Sequence, residues 1–286
     1  MEFKTVDKNF EIPVFGLGTW GIGGFLETDS SQDENSIQAI KKAIELGYSH
    51  IDTAELYGAG HCEELIGKAA KNSDRSKLII TSKVFKTNLK YDDVLASCKK
   101  SLERLQTGYI DIYLIHAPNP EIPLEETMKA MDCLVEEKLV RFIGVSNFSV
   151  KEMQEAQKFS KNKIVANQIP YNLATRNKDY LGNCSNMESE IIPYCQEKDI
   201  ITMAYRPLER GFLLKPNPLL DQLSKKYSKT KAQIAINWLI SKKGIITFSK
   251  ATSIEHLKEN LGAVGWNLSK EDTKLLNETR FGCPGP

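Results

Sequence analysis

Residues 78–117 read LIITSKVFKTNLKYDDVLASCKKSLERLQTGYIDIYLIHA. Two apolar runs, LIITSKV (78–84) and IDIYLIHA (110–117), flank a segment of helical period. Val94, Leu95, Cys98, Leu102 and Leu105 fall on one face of that segment, the stripe of an amphipathic helix. The flanking runs are apolar almost throughout rather than at alternate positions. Strands of that kind are buried on both faces, as in a parallel sheet covered by helices. The stretch therefore reads as one strand–helix–strand unit.

The same pairing recurs in both directions. Towards the N-terminus, VFGLGTW (14–20) precedes DENSIQAIKKAIELG (33–47), and SHIDTA (49–54) precedes CEELIGKAAK (62–71). Towards the C-terminus, IDIYLIHA gives way to PLEETMKAMDCLVEEKL (123–139), VRFIGVSNF (140–148) to VKEMQEAQKFS (150–160), and IVANQIPYN (164–172) to ESEIIPYCQEKD (188–199). IITMAYRPL (200–208) precedes KTKAQIAINWLISKKG (229–244), and IITFSKA (245–251) precedes SIEHLKENLGAVG (253–265). Eight such pairs in about 250 residues predict an α/β chain closed into a (β/α)8 barrel of the TIM type. No break in composition interrupts the series, so residues 1–286 read as a single barrel domain. Ahead of it, FKTVDKNFEI (3–12) predicts a short β-hairpin turning at Asp7-Lys8-Asn9, placed to plug one end of the barrel.

Composition excludes several function classes. Lys and Arg number 38 against 37 Asp and Glu, a formal charge of +1. Nucleic acid as a main partner would show as a basic excess or stripe, so none is expected. No apolar run approaches the length of about 18 residues that a membrane span needs. MEFKTVDKNFEIPVFG lacks the apolar core of a signal peptide. The six cysteines (62, 98, 133, 184, 195 and 283) have no CxxC spacing and read as reduced thiols of a cytoplasmic protein. His61 stands beside Cys62 and Glu63, but without HExxH or HxxEH spacing no metal is expected. GLGTWG (16–21) fits G-x-G-x-x-G, yet a loop, IGGFLETDSSQ, follows where a dinucleotide-binding turn needs a helix.

In an eight-fold barrel the active site lies at the C-terminal ends of the strands. Those ends carry Asp52, with Tyr57 on the loop behind it, then Lys83, His116, Ser146 and Asn147. Asn167, Gln168, Tyr205, Ser249 and Lys250 follow on the later strands. Singly, each has a plain structural explanation as a cap, a solvated cation or a satisfied core polar group. Together, an acid, a phenol, an ammonium and an imidazole on one rim are the default active-site candidate. Tyr is too weak an acid to protonate an alkoxide well at neutral pH. A neighbouring ammonium stabilises its anion, and bringing a phenol near neutrality asks for about 4 kcal/mol of such stabilisation. An Asp keeps that ammonium charged, and a neutral His can orient a substrate oxygen. This is a site for protonating a reduced carbonyl, and the hydride must come from a nicotinamide, since no side chain supplies one.

With these residues in place, the chain resembles the aldo-keto reductases along essentially its whole length. The resemblance runs through GLGTW (16–20), HIDTAELYG (50–58), ITSKV (80–84), YIDIYLIHAP (109–118), FIGVSNF (142–148), AYRPL (204–208) and SKATSIEHLKEN (249–260). It implies a barrel that binds NADP(H), with NAD(H) as the second candidate, and a tetrad of Asp52, Tyr57, Lys83 and His116 with Tyr57 as the acid. It implies Ser146, Asn147 and Gln168 on the carboxamide, Tyr205 stacked on the nicotinamide, and Trp20, Tyr57 and His116 around the substrate. Further cofactor positions implied are Gly18, Thr19, Trp20, Asp52, Pro207, Leu208, Ser249, Lys250, Thr252, His256, Glu259 and Asn260.

Two departures stand out. The family's strand-end Lys is typically followed by Ser or Thr and an Arg on the next helix grips the 2′-phosphate, whereas this chain has Ala251 and His256. An imidazole is the poorer phosphate ligand, so the preference for NADP(H) is expected to be weaker than usual. Only FGCPGP (281–286) follows the last helical pattern, so an open, permissive pocket is expected. The expected function is the NADPH-dependent reduction of aldehydes and ketones by a monomer. A slow cofactor-holding regulatory module and an unrelated barrel hydrolase are the alternatives. The first lacks extra interaction segments and the second lacks a paired-carboxylate or nucleophile–base set.

Overall fold

The computed structural model describes residues 2–178, 183 and 185–282. A hairpin, β1 (Phe3–Asp7) and β2 (Phe10–Pro13), opens the chain as an antiparallel pair. Then come β3 (Phe15–Gly18), α1 (Asp33–Glu45), β4 (His50–Asp52), α2 (His61–Ala70), β5 (Ile79–Val84), α3 (Tyr91–Leu105) and β6 (Ile110–Ile115). They are followed by α4 (Leu124–Glu136), β7 (Val140–Ser146), α5 (Val150–Phe159), β8 (Ile164–Pro170), α6 (Ile192–Glu197) and β9 (Ile201–Tyr205). The remainder is α7 (Pro218–Tyr227), α8 (Lys231–Ile240), β10 (Ile245–Ser249), α9 (Ile254–Leu261) and α10 (Lys270–Glu278). Eight strands close into a barrel in the order β10-β3-β4-β5-β6-β7-β8-β9. No helix among the described residues is long and apolar enough to cross a membrane.

By internal contacts the chain falls into two compact units. One holds Leu17–Asn167 with Lys250–Thr252. Its strands pair in parallel, with Asp52 beside Thr81, Lys83 beside Leu114 and Val84 beside Ile115. All six residues of β6 are buried, as the unbroken apolar run requires; each buried Ile contributes about 1.5–3 kcal/mol. The helices start where local chemistry favours it. Asp92 and Asp93 sit in the first turn of α3, where the helix dipole favours negative charge. Ser149 and Glu152 form a reciprocal capping box on α5.

The other unit holds the described residues of 1–16, 168–249 and 253–286. Here β9 and β10 pair in parallel, with Thr202 beside Ile245. Trp238 on α8 is fully buried, its indole donating to Asn277 Oδ1 at 2.8 Å. The hairpin buries Val6, Phe10 and Ile12, and Lys4 Nζ donates to the Lys242 carbonyl at 3.0 Å.

The sequence reading passes over α7, although Asn217 caps it, accepting from Leu220 N, and Pro218 opens it. Its apolar stripe is thin, only Leu220 and Leu223 being buried, and Lys225 and Lys226 crowd its end. The segment 188–199 also differs: a wide turn at Met187–Ile191 runs into the short α6, which carries Pro193 in its first turn. Cys62, Cys98, Cys133 and Cys195 are free thiols, and Cys184 and Cys283 lie outside the described residues.

Candidate active site

β4 ends in Asp52 and β5 carries Lys83, and their parallel pairing sets both side chains in the barrel interior. The Lys83 ammonium has three protons to place. It donates to Asp52 Oδ2 at 2.9 Å, to the Thr53 carbonyl at 2.7 Å and to the Tyr57 hydroxyl at 3.2 Å. Lys83 and Asp52 are both shielded from water, at 0% and 1% exposure. Burial pushes the Lys83 ammonium below its ordinary pKa, and the Asp52 carboxylate opposes that shift.

Tyr57 opens a tight turn, Tyr57–Gly60, in which Gly58 and Ala59 hold positive φ angles of 57° and 54°. The turn is fastened to the loop after β3. Gly58 N–H donates to the Phe25 carbonyl at 2.7 Å, and the Thr28 hydroxyl donates to the Gly58 carbonyl at 3.0 Å. A Cβ at position 58 would stand 2.3 Å from the Gly23 carbonyl oxygen, so only glycine lets the two loops meet.

His116 follows β6, its N–H donating to the Val84 carbonyl at 3.0 Å. Its ring lies edge-on to Tyr57 at 5.9 Å between centroids and to Phe85 at 6.0 Å. Burial, reinforced by the Lys83 charge, pushes its pKa down to about 3, so the imidazole is neutral at physiological pH. Its Nδ1 is buried with no protein partner among the described residues. Trp20 also approaches Tyr57 edge-on at 4.9 Å, and Phe25 packs on Trp20 at 5.5 Å. Trp20 and Phe25 are the wet end of this wall, at 40% and 60% exposure. A phenol bonded to an ammonium, beside a neutral imidazole and an apolar wall, can deliver a proton to an oxygen held between Tyr57 and His116.

Of the remaining sequence-derived positions in this unit, Gly18 pairs with Asp52. The Thr19 hydroxyl donates to the Asp52 carbonyl at 2.8 Å and so steadies the strand end. Ser146 is buried, and Asn147, with φ of 62°, donates from Nδ2 to the His116 carbonyl and to Ser146 Oγ, each at 3.0 Å. Lys250 and Thr252 are exposed. Among the described residues no carboxylate pairs with Lys250. Its Nζ would lie 3.4 Å from a Cβ built on Gly21. A solvent-facing ammonium beside bare glycine backbone suits a phosphate, and the Ser146–Asn147 donors and acceptors suit a carboxamide, so these residues fit a nicotinamide dinucleotide.

In the other unit, Gln168 Nε2 lies 3.9 Å from Met203 Sδ. Tyr205 ends β9 partly exposed, with the Arg206 guanidinium 5.6 Å from its ring centroid. Pro207 is buried and Leu208 partly so. Ser249 Oγ accepts from Asn260 Nδ2 at 3.0 Å. His256 is exposed in the first turn of α9, its N–H held by the Ser253 cap at 3.2 Å, and Glu259 gives its carbonyl to Gln233.

Sequence reading missed two supporting groups. One is the Thr53 carbonyl, which no side-chain pattern reveals. The other is Glu55, whose Oε1 accepts from Phe85 N at 2.6 Å and from Asn88 Nδ2 at 3.1 Å and so holds the loop that carries Phe85. Its place two residues before Tyr57 was the available signal.

Comparison with known proteins places these features in a family. The Aldo/keto reductase family model matches residues 14–280. The methylglyoxal reductase YeaE of Escherichia coli is 33% identical over 273 residues, covering 93% of this chain and 90% of the relative. The glyoxal reductase of Bacillus subtilis is 34% identical, covering 93% and 88%. Among solved structures, a thermostable aldo-keto reductase bound to the inhibitor epalrestat superposes with a TM-score of 0.91 at 45% identity, covering 97% of this chain and 99% of that one. An aldo/keto reductase from Klebsiella pneumoniae in complex with NADP and acetate gives 0.83 at 31% identity, covering 96% and 95%.

Proposed function

Because this chain belongs to the aldo/keto reductase family, we propose that it reduces small aldehydes and ketones to alcohols with NADPH, using Tyr57 as the proton donor. The observation that carries the reading is the Lys83 ammonium shared between Asp52, the Thr53 carbonyl and the Tyr57 hydroxyl. The NADP-bound Klebsiella pneumoniae relative supports the choice of cofactor. The glyoxal and methylglyoxal reductases support small carbonyl compounds as substrates.

When bound, the dihydronicotinamide supplies the hydride that reduces the carbonyl carbon. The chain's own residues handle the oxygen. Neutral His116 donates a hydrogen bond from Nε2, the tautomer consistent with a buried Nδ1 that has no partner to donate to. Tyr57 gives its proton as negative charge builds on the substrate oxygen. Lys83 then stabilises the phenolate that remains, and Asp52 keeps the ammonium charged. Ser146 and Asn147 hold the carboxamide of the nicotinamide, Lys250 and Thr252 take phosphate oxygens, and Trp20 with Phe25 covers the apolar side of the substrate.

Following NADPH absorbance with a panel of small aldehydes and ketones tests the activity. Tyr57→Phe is expected to lower kcat by about 100-fold or more while cofactor affinity stays near the parent value. Turnover near the parent rate in that variant contradicts the proton-donor role.

A further inference from the structure

Glu63, on α2, is a carboxylate with 0% exposure, and the proposed reaction gives it no part. Its Oε1 accepts from the Ser82 hydroxyl at 2.5 Å. Its Oε2 accepts from Arg104 Nε at 2.8 Å and Nη2 at 2.7 Å. Arg104, on α3, also donates from Nη2 to Ser101 Oγ at 3.2 Å. This pair, its carboxylate buried and its guanidinium partly exposed, reaches the tyrosine and the lysine by two routes. Ser82 directly precedes Lys83 on β5. The guanidinium lies against Gly60, the last residue of the turn that Tyr57 opens; a Cβ there would stand 2.8 Å from Nε and 3.0 Å from Cζ.

We propose that Glu63 and Arg104 are positioning residues for proton transfer. Through Gly60 they form the floor of the turn that carries the phenol, and through Ser82 they fix the strand that carries the ammonium. Together these contacts set the 3.2 Å separation between Tyr57 Oη and Lys83 Nζ. The inference rests on the reading of Tyr57 as the donor. A guanidinium held at both Nε and Nη2 is a planar, fixed surface, which a flexible lysine does not reproduce. The backbone above it stands at a φ of 95°, where glycine alone is unstrained and free of the clash.

A second buried carboxylate supplies the control. Asp111, at the start of β6, accepts from Arg75, Arg141 and the Ile80 N–H. Arg75 also donates to the Leu78 and Tyr109 carbonyls. Only the Ile80 N–H belongs to β5, three residues ahead of Lys83. Arg75 itself bonds Asp111 and the Leu78 and Tyr109 carbonyls rather than any residue beside Tyr57 or Lys83, so Arg75 is the control for losing an ion pair remote from the phenol.

The test compares Arg104→Gln, Arg104→Lys, Ser82→Ala and the control Arg75→Gln in the full chain. Each is assayed for NADPH-dependent reduction of a small aldehyde across pH, with thermal unfolding and an NADPH fluorescence titration alongside. Arg104→Gln and Ser82→Ala are expected to lower kcat about tenfold to 100-fold, to shift the pH profile, and to leave KM and NADPH affinity within about twofold. Arg104→Lys recovers part of kcat. Arg75→Gln lowers the unfolding temperature with kcat and pH profile unchanged. Folded Arg104→Gln and Ser82→Ala proteins with the parent kcat and pH profile overturn the proposal. If Arg104→Gln does not fold, Ser82→Ala, which leaves the ion pair whole, decides the matter. Tyr57→Phe run in parallel separates the two levels. Full activity there removes the donor assignment itself, whereas an inactive Tyr57→Phe beside unaffected Ser82→Ala and Arg104→Gln removes the positioning role alone.

Discussion

Replacing Lys83 by Met keeps an unbranched side chain one atom shorter and deletes its charge, and the geometry of the site sets the cost. Three hydrogen bonds disappear, at 2.9, 2.7 and 3.2 Å. Asp52, at 1% exposure, is left as a buried carboxylate without its cation. Breaking one partner out of a buried pair costs about 3–5 kcal/mol, whereas neutralising both partners removes most of that penalty. Urea unfolding of Lys83→Met, Asp52→Asn and the double variant therefore forms a cycle. The single Lys83→Met should lose about 3–5 kcal/mol, and the double variant should regain about 2–3 kcal/mol of it. Activity should not return with stability: NADPH oxidation stays down by about 100-fold or more in both proteins, because the phenolate has lost its stabilising charge. Additive losses in the cycle would show that Lys83 and Asp52 do not act as a pair. Recovered activity in the double variant would show that the ammonium has no part in proton transfer.

Acid stability should report His116. Its folded-state pKa of about 3 lies below the ordinary 6.5, so between those values the unfolded chain takes up a proton that the folded chain refuses. Stability then falls as pH drops through that window, by up to about 5 kcal/mol. Buried His50 is pushed down to about 3 as well and adds a like slope, so His116→Gln should remove about half of the slope in pH-dependent urea titrations, and an unchanged slope refutes it. His256→Arg should tighten NADPH binding about tenfold and leave NADH nearly unaffected, since a guanidinium can fork onto a 2′-phosphate. Equal shifts for both cofactors, measured by fluorescence titration, would separate His256 from phosphate recognition.

Several parts of this architecture were legible residue by residue. The six-residue run of β6 is buried on both faces, so its apolar pattern has no alternation to lose and declares a parallel strand. Asp52, Lys83 and His116 were visible as polar groups at the ends of such runs, and Tyr57 because it follows one of them on a glycine-marked turn. The first helix after β9 was not legible, because only two of its residues reach the core and its lysines mask the period. Glu55 was passed over, since its partners Phe85 and Asn88 lie some 30 positions away.

The sequence by itself determined the repeating strand–helix order and the residue types at the strand ends. Both follow from short-range periodicity and from which side chains tolerate burial. Only the tertiary structure decided the distances: the 3.2 Å between ammonium and phenol, the Phe25 carbonyl that receives Gly58, and the guanidinium under Gly60. Each joins residues far apart in the chain, where no local pattern constrains them. Their separation is set by how neighbouring strands register and how loops without periodicity pack over them.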